Sequence, residues 1–315
     1  MAEFNSEEFY NELDGLYASG ASADVETFLL ERINASRENR GGDNAEHMVC
    51  LNELASLYRG QSRFDESFRC YEEAEEILLD LFGESTAHYA TFLNNKASAH
   101  RMAGDYEKAL FLYNKAIRIY KDINETDAYL LAGLLNNVSS LYRQINKNDD
   151  AVEALLGAVK MLKSASGLED ELATTMVNLA SLYHSIGEGD LAAETLNGSI
   201  ELFRGLSYES AHYPAALNLL GIIEMKKGNY SGAIDALEQG AGLGKKIFSE
   251  NIDYATMKKN LGDVYVLTGD TERAINEFGA ARSAFVRAMG EDCEAAKELD
   301  AKIEGCSRKR TRGKE

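Results

Sequence analysis

The stretch Ala97-Ser98-Ala99-His100-Arg101-Met102-Ala103-Gly104-Asp105-Tyr106-Glu107-Lys108-Ala109 decides the fold, because its pattern returns along the chain at a fixed interval. Ala99-His100 stands 42 residues after Leu57-Tyr58 and 42 before Leu141-Tyr142. Steps of 41 then reach Leu182-Tyr183, Ile223-Glu224 and Val264-Tyr265, and a step of 41 backwards from Leu57-Tyr58 reaches Leu16-Tyr17. Three residues before the second member of each pair stand Ala55, Ala97, Ser139, Ala180, Gly221 and Gly262. Nine after it come Ser67, Ala109, Ala151, Ala192, Ala233 and Ala274, and 16 after it Ala74, Ala116, Ala158, Ser199, Gly240 and Ala281. All three columns are small. Between the last two runs a bulky column: Tyr71, Tyr113, Leu155, Leu196, Leu237 and Phe278.

Two antiparallel helices approach closely only where side chains are small, and a bulky residue one turn on fills the adjacent hole. Small and large residues must therefore recur at fixed places in every unit. Between the two helices of a unit a left-handed residue ends the first, and Gly104, Gly187, Gly228 and Gly269 occupy that slot, with Ser62 and Asn146 in the other two units.

This small-Leu-Tyr-turn-aromatic-Ala pattern resembles the tetratricopeptide repeat over residues 47–289. The common period of that repeat is about 34 residues; the longer period here, the Leu93-Asn94-Asn95 and Leu135-Asn136-Asn137 motifs, and Phe82-Gly83-Glu84 and Met289-Gly290-Glu291 at linker positions look most like kinesin light chain repeats and their bacterial relatives. The resemblance implies an all-α, right-handed α-solenoid of about seven helical hairpins and a C-terminal capping helix, without strands. Residues 1–45 read as a degenerate capping repeat and a polar loop (Arg37 to Asp43), 46–291 as six repeats, 292–304 as the capping helix, and 305–315 as a disordered basic tail. Lys96 in a Leu column, Glu224 in a Tyr column, and Asn148, Gly189 and Thr271 in an aromatic column break the pattern.

Composition agrees. Of 315 residues, 45 % are hydrophobic, one is Pro and none is Trp, which favours helices over strands. A net charge of −19 repels phosphate backbones, so nucleic acid is not the expected partner. Cys50, Cys70, Cys293 and Cys306 have neither zinc-site spacing nor a repeated position, which suits a reducing compartment. No signal segment and no membrane-spanning run is visible, and a cytoplasmic protein is expected.

Six residues before the Tyr position stand Asn11, Asn52, Asn94, Asn136 and Asn218; two before it Ser56, Ser98, Ser140 and Ser181; one after it Arg59, Arg101, Arg143 and His184. This spacing places Asn, Ser and Arg on one face of each first helix. Asn is a poor helix former and aligned Arg residues repel one another, so packing alone does not ask for them. A carboxamide can bond an extended backbone and a guanidinium can clamp a carboxylate. The resemblance implies that Asn52, Asn94, Asn136 and Asn218 hold a bound peptide backbone in a concave groove. Asn95, Asn137, Asn178 and Asn260, one position further on, are expected to bond between hairpins instead.

No catalytic constellation, metal-ligand spacing or cofactor motif stands out. Gly240 to Lys246 has the wrong spacing for a phosphate loop, and Gly240 belongs to the small column of a helix. The expectation is a non-enzymatic scaffold that binds a protein or peptide segment of acidic character. The competing reading is a peptide-responsive sensor whose superhelix changes pitch.

Overall fold

The computed structural model describes residues 4–18, 22–38, 44–123, 127–206 and 209–312. Fifteen helices and no strand occur among them: α1 (Ser6–Ala18), α2 (Ser22–Glu38), α3 (Asn44–Gly60), α4 (Phe64–Phe82), α5 (Ala87–Met102), α6 (Tyr106–Asp122), α7 (Ala128–Gln144), α8 (Asn148–Ser164), α9 (Glu169–Ser185), α10 (Gly189–Gly205), α11 (Tyr213–Lys226), α12 (Tyr230–Phe248), α13 (Ile252–Thr268), α14 (Thr271–Met289) and α15 (Glu294–Arg312). They fall into two compact units, residues 1–158 and 159–315, dividing within α8. In the first, α3 packs on α4 and α5 on α6; in the second, α9 packs on α10, α11 on α12, and α13 on α14, with α15 against α14. These are the helix pairs of a tetratricopeptide solenoid.

The small columns lie where the helices of a pair cross. Ala97, Ala109, Ala116, Ala180, Ala192, Ala233 and Ala274 are buried without residual exposure, beside the equally buried Tyr71, Tyr113, Leu196 and Leu237. Where the column reduces to glycine the approach is closest. A Cβ built on Gly262 would stand 2.4 Å from Phe278 Cε1, and one on Gly221 would stand 2.5 Å from Leu237 Cγ. The turn slot is left-handed in the six pairs from α3 to α14, Gly104 at φ 84° and Gly269 at 81°, and Ser62 and Asn146 take the same conformation at 60° and 57°. Asp105, Asn229 and Asp270 then cap the second helices by accepting from Lys108, Gly232 and Arg273 backbone N–H groups.

The departures at Lys96 and Glu224 are absorbed locally. Lys96, buried in its Leu column, donates to Glu75 Oε2 at 2.6 Å. Burial pushes the Glu75 carboxyl up, but hydrogen bonds from Lys96 and Tyr89 outweigh it and hold the group below the usual carboxylate range. Glu224 accepts from the side chain of Asn229, the residue that caps α12. His100, in a Tyr column, is buried and stacks on Phe68 with ring centroids 4.2 Å apart. Gly240 is buried inside α12, where a Cβ would stand 2.9 Å from Met257 Sδ, so the glycine-rich run is helix packing.

Two boundaries differ from the sequence reading. α2 continues through Arg37 and Glu38, while the remainder of the expected polar loop, 39–43, lies outside the described residues. α15 runs to Arg312, so the stretch from 305 expected as a disordered tail is helical that far, with 313–315 outside the described residues. Nothing in Ser307 to Arg312 breaks a helix, and Arg308 pairs with Glu304 one turn earlier at 2.7 Å.

Glycine substitutions should therefore split in sign. Gly242, exposed on α12, has nothing within 4 Å of a built Cβ; Gly242→Ala should stabilise by about 0.5–1 kcal/mol through helix propensity. Gly262→Ala should destabilise by about 1–3 kcal/mol because Phe278 must move. Urea melts of the two variants decide it, and a stabilising Gly262→Ala contradicts the packing described.

Candidate functional site

In the first unit the Asn, Ser and Arg columns lie on α3, α5 and α7, three successive first helices each in contact with the next. A carboxamide ladder ties them together. Asn137 Nδ2 donates to Asn94 Oδ1 at 3.0 Å, and Asn95 Nδ2 to Asn52 Oδ1 at 3.5 Å. In the second unit Asn260 donates to Asn218 at 2.8 Å. The rung that would fall between α9 and α11 is replaced on both sides, by Val177 and Leu219, which pack against the same apolar cluster. Asn52, Asn94 and Asn218 thus each spend an oxygen on the neighbouring repeat, and Asn136 Nδ2 donates to Ala132 O within its own helix.

The serines divide by what stands opposite. Ser98 is buried and shares a 2.9 Å hydrogen bond with the Tyr113 hydroxyl, and Ser56 pairs with Tyr71 at 3.3 Å. A buried tyrosine needs a partner for its hydroxyl, and the serine 15 residues earlier supplies it. Where the bulky column holds Leu155, Ser140 turns to Asn136 O of its own helix at 3.2 Å. The expected groove role of Ser98 is therefore corrected: it belongs to the hairpin interior. Ser181 is half-buried on α9.

The arginines lean toward the following repeat. Arg59 Nη1 donates to Asn95 O at 3.4 Å and Arg101 Nη1 to Gln144 Oε1 at 3.2 Å. Arg101 Nε is buried and has no hydrogen-bond partner among the described residues. Arg143 is exposed at the end of α7. α5 and α7 alone among the fifteen helices contain no Asp or Glu, in a chain with 52 acidic residues.

His184 stands in the arginine column but does not share its charge. Its Nε2 lies 2.9 Å from Lys226 Nζ, and burial and that ammonium both hold its pKa below the ordinary histidine value. It is a neutral acceptor, and Lys226 carries the positive charge at that place. His47 has its Nε2 3.3 Å from Glu73 Oε1, though not in hydrogen-bonding geometry.

Sequence reasoning missed Tyr10 and Glu53. Glu53 occupies the column that holds Asn95, Asn137 and Asn260 in other repeats, and that break in an Asn series was the available signal. It accepts from Asn52 at 3.3 Å and from the Tyr10 hydroxyl at 3.5 Å.

A tetratricopeptide repeat family model matches residues 46–122 and 88–164. The matched region, residues 46–164, belongs to the tetratricopeptide repeat family. Solved structures extend the likeness along the chain. BtubC (BKLC) from P. vanneervenii is 22 % identical over 72 % of this chain and 91 % of its own, with a TM-score of 0.62. A tetratricopeptide repeat protein from Parabacteroides merdae is 19 % identical over 95 % of this chain and 98 % of its own, at 0.57. A putative kinesin light chain from Podosopora anserina, built of nearly identical repeats, is 18 % identical over 62 % and 94 %, at 0.51. A search of curated proteins returns no significant match. At these identities the structural likeness is one of fold. Among the described residues no helix is long and apolar enough to cross a membrane, and all four cysteines are unpaired.

The imidazole of His184 supplies a direct check on the local electrostatics. Replacing Lys226 by Ala should raise the His184 pKa toward the ordinary value of about 6.5 while burial keeps it below. A proton NMR titration that shows no rise removes the lysine as a cause.

Proposed function

We propose that the first-helix face of the first unit, on α3, α5 and α7, binds an extended acidic segment of a partner protein, and that the chain is a non-enzymatic, cytoplasmic scaffold. Tetratricopeptide repeats serve in general as scaffolds for protein interaction, and Cut9, which has this fold at 15 % identity, is solved in a hetero-tetramer with Hcn1. The finer reading rests on one observation, the absence of any carboxylate from α5 and α7 beside Arg101 and Arg143. Two helices free of negative charge in a chain of net charge −19 make a local positive strip in a negative field. That arrangement admits an acidic chain to the strip and repels anions from the rest of the surface.

The ladder narrows what the carboxamides do. With Asn94 Oδ1 occupied by Asn137, Asn94 offers N–H donors to a bound chain, which suits backbone carbonyls. The half-buried Arg101 guanidinium bonds Gln144 through Nη1, and its outer N–H groups are the donors for an arriving carboxylate. Unpaired cysteines suit a reducing compartment.

Titration of acidic, neutral and basic peptides at two salt concentrations tests this reading. Acidic peptides should bind best and lose affinity as salt rises. Arg101→Ala should cost about 2–5 kcal/mol if its charge pair is desolvated, and Arg143→Ala, at an exposed rim, about 1 kcal/mol or less. Arg118→Ala, an exposed arginine on the second helix α6, should leave affinity unchanged. Preference for basic peptides, or equal losses from Arg101→Ala and Arg118→Ala, contradicts the assignment.

A further inference from the structure

Four Tyr–Glu hydrogen bonds link side chains of different helices or turns among the described residues, and three of them are completed by a cation over the tyrosine ring. Tyr58 donates to Glu26 at 2.9 Å, and Arg63 lies 4.0 Å from the ring centroid while pairing with Glu26. Tyr89 donates to Glu75 at 2.7 Å, with Lys115 4.8 Å above the ring. Tyr265 donates to Glu238 at 3.2 Å, with Arg273 at 4.5 Å. A carboxylate that accepts from a phenol leaves the ring face electron-rich beside a negative charge, which draws a cation to the ring. Arg63 serves ring and carboxylate together, whereas Lys96 takes Glu75 while Lys115 covers Tyr89, and Arg273 over Tyr265 pairs with Asp270.

The fourth pair lacks its cation. Tyr10 donates to Glu53 at 3.5 Å, no cation stands over the Tyr10 ring, and no ion pair reaches Glu53 among the described residues. Arg59, whose charge Glu53 senses, donates to Asn95 O. Tyr10 is 41 % exposed and braced edge-on by Phe9 at 5.2 Å, and Tyr17, about two turns further along α1, is 45 % exposed. Tyr17 lies within electrostatic range of both Glu53 and Arg59. Burial pushes the Glu53 carboxyl above the usual range, with Asp14 adding to the rise and Asn52, Tyr10 and Arg59 only partly offsetting it. A half-buried carboxylate of this kind is improved by a counter-charge arriving from outside.

We propose that Tyr10 and Glu53 form a seat for a lysine or arginine side chain of the bound segment, the missing cation of the fourth Tyr–Glu pair. The proposal rests on the reading of α3, α5 and α7 as a peptide-binding face and adds to it a charge pattern. The segment carries a basic residue at the end that lies over α1 and α3, and acidic residues where it crosses α5 and α7. Because the two charge preferences sit at opposite ends of one face, the seat also fixes the direction in which the segment lies.

The test uses terminally capped acidic peptides carrying Lys at the amino end, Lys at the carboxyl end, or Gln at both, with affinities from fluorescence anisotropy. One Lys isomer should bind about three- to thirty-fold more tightly than the Gln peptide, the range of a partly desolvated cation–π contact with a carboxylate. Glu53→Gln and Tyr10→Leu should abolish that gain without altering affinity for the Gln peptide, and Tyr10→Phe should keep most of it. Circular dichroism melts of the variants exclude unfolding as the cause. Equal gain for both isomers, no gain for either, or a gain that survives Glu53→Gln overturns the seat while leaving the acidic-segment reading standing. Failure of the Gln peptide to bind at all, or its binding unaffected by Arg101→Ala, overturns that reading and the seat with it.

Discussion

Close approach of two helices at a column of small residues is the constraint on which the rest of this structure depends. At Gly262 the backbone of α13 comes so near Phe278 of α14 that a single methyl group would overlap the ring. The same contact is made by Gly221 with Leu237. Each crossing fixes the angle within a pair, and the pair presents its first helix to the next at a set height. The carboxamide ladder becomes possible only because those heights match, with Asn137 meeting Asn94 at 3.0 Å across 43 residues of chain. Register in the hairpin is thus converted into register along the row of first helices.

Most of this was legible in the sequence, because packing constraints repeat and repetition can be counted. The small columns, the bulky column and the left-handed turn slot all appear where the spacing placed them, down to Ser62 and Asn146 adopting positive φ in place of glycine. Helix ends were less legible. A basic run such as Arg308 to Arg312 has no packing signature, and its place at the end of α15 depends on the turn before it.

The face itself was half legible, for a chemical reason. Periodicity shows which side of a helix a residue takes but not which neighbour satisfies it. Ser98 and Ser140 occupy the same column, yet one bonds a buried tyrosine and the other its own helix, because Tyr113 in one repeat becomes Leu155 in the next. His184 looked like a charge in line with the arginines until Lys226 was placed against it. Glu53 passed unnoticed in an asparagine column, since only three dimensions reveal that Tyr10 is its partner and that a third member is missing. Column reading finds positions; the occupant of the opposing column sets the chemistry.

The proposed function rests on the carboxylate-free helices in a strongly acidic chain, so the location of the bound segment is the central claim. It is tested most directly by photocrosslinking an acidic peptide that carries a benzophenone side chain at its centre, followed by mass spectrometry of the adducts. The account places the adducts on Ala87–Met102 and Ala128–Gln144, the two helices without Asp or Glu. Adducts confined to Phe64–Phe82 and Tyr106–Asp122, the second helices of the same pairs, would contradict it.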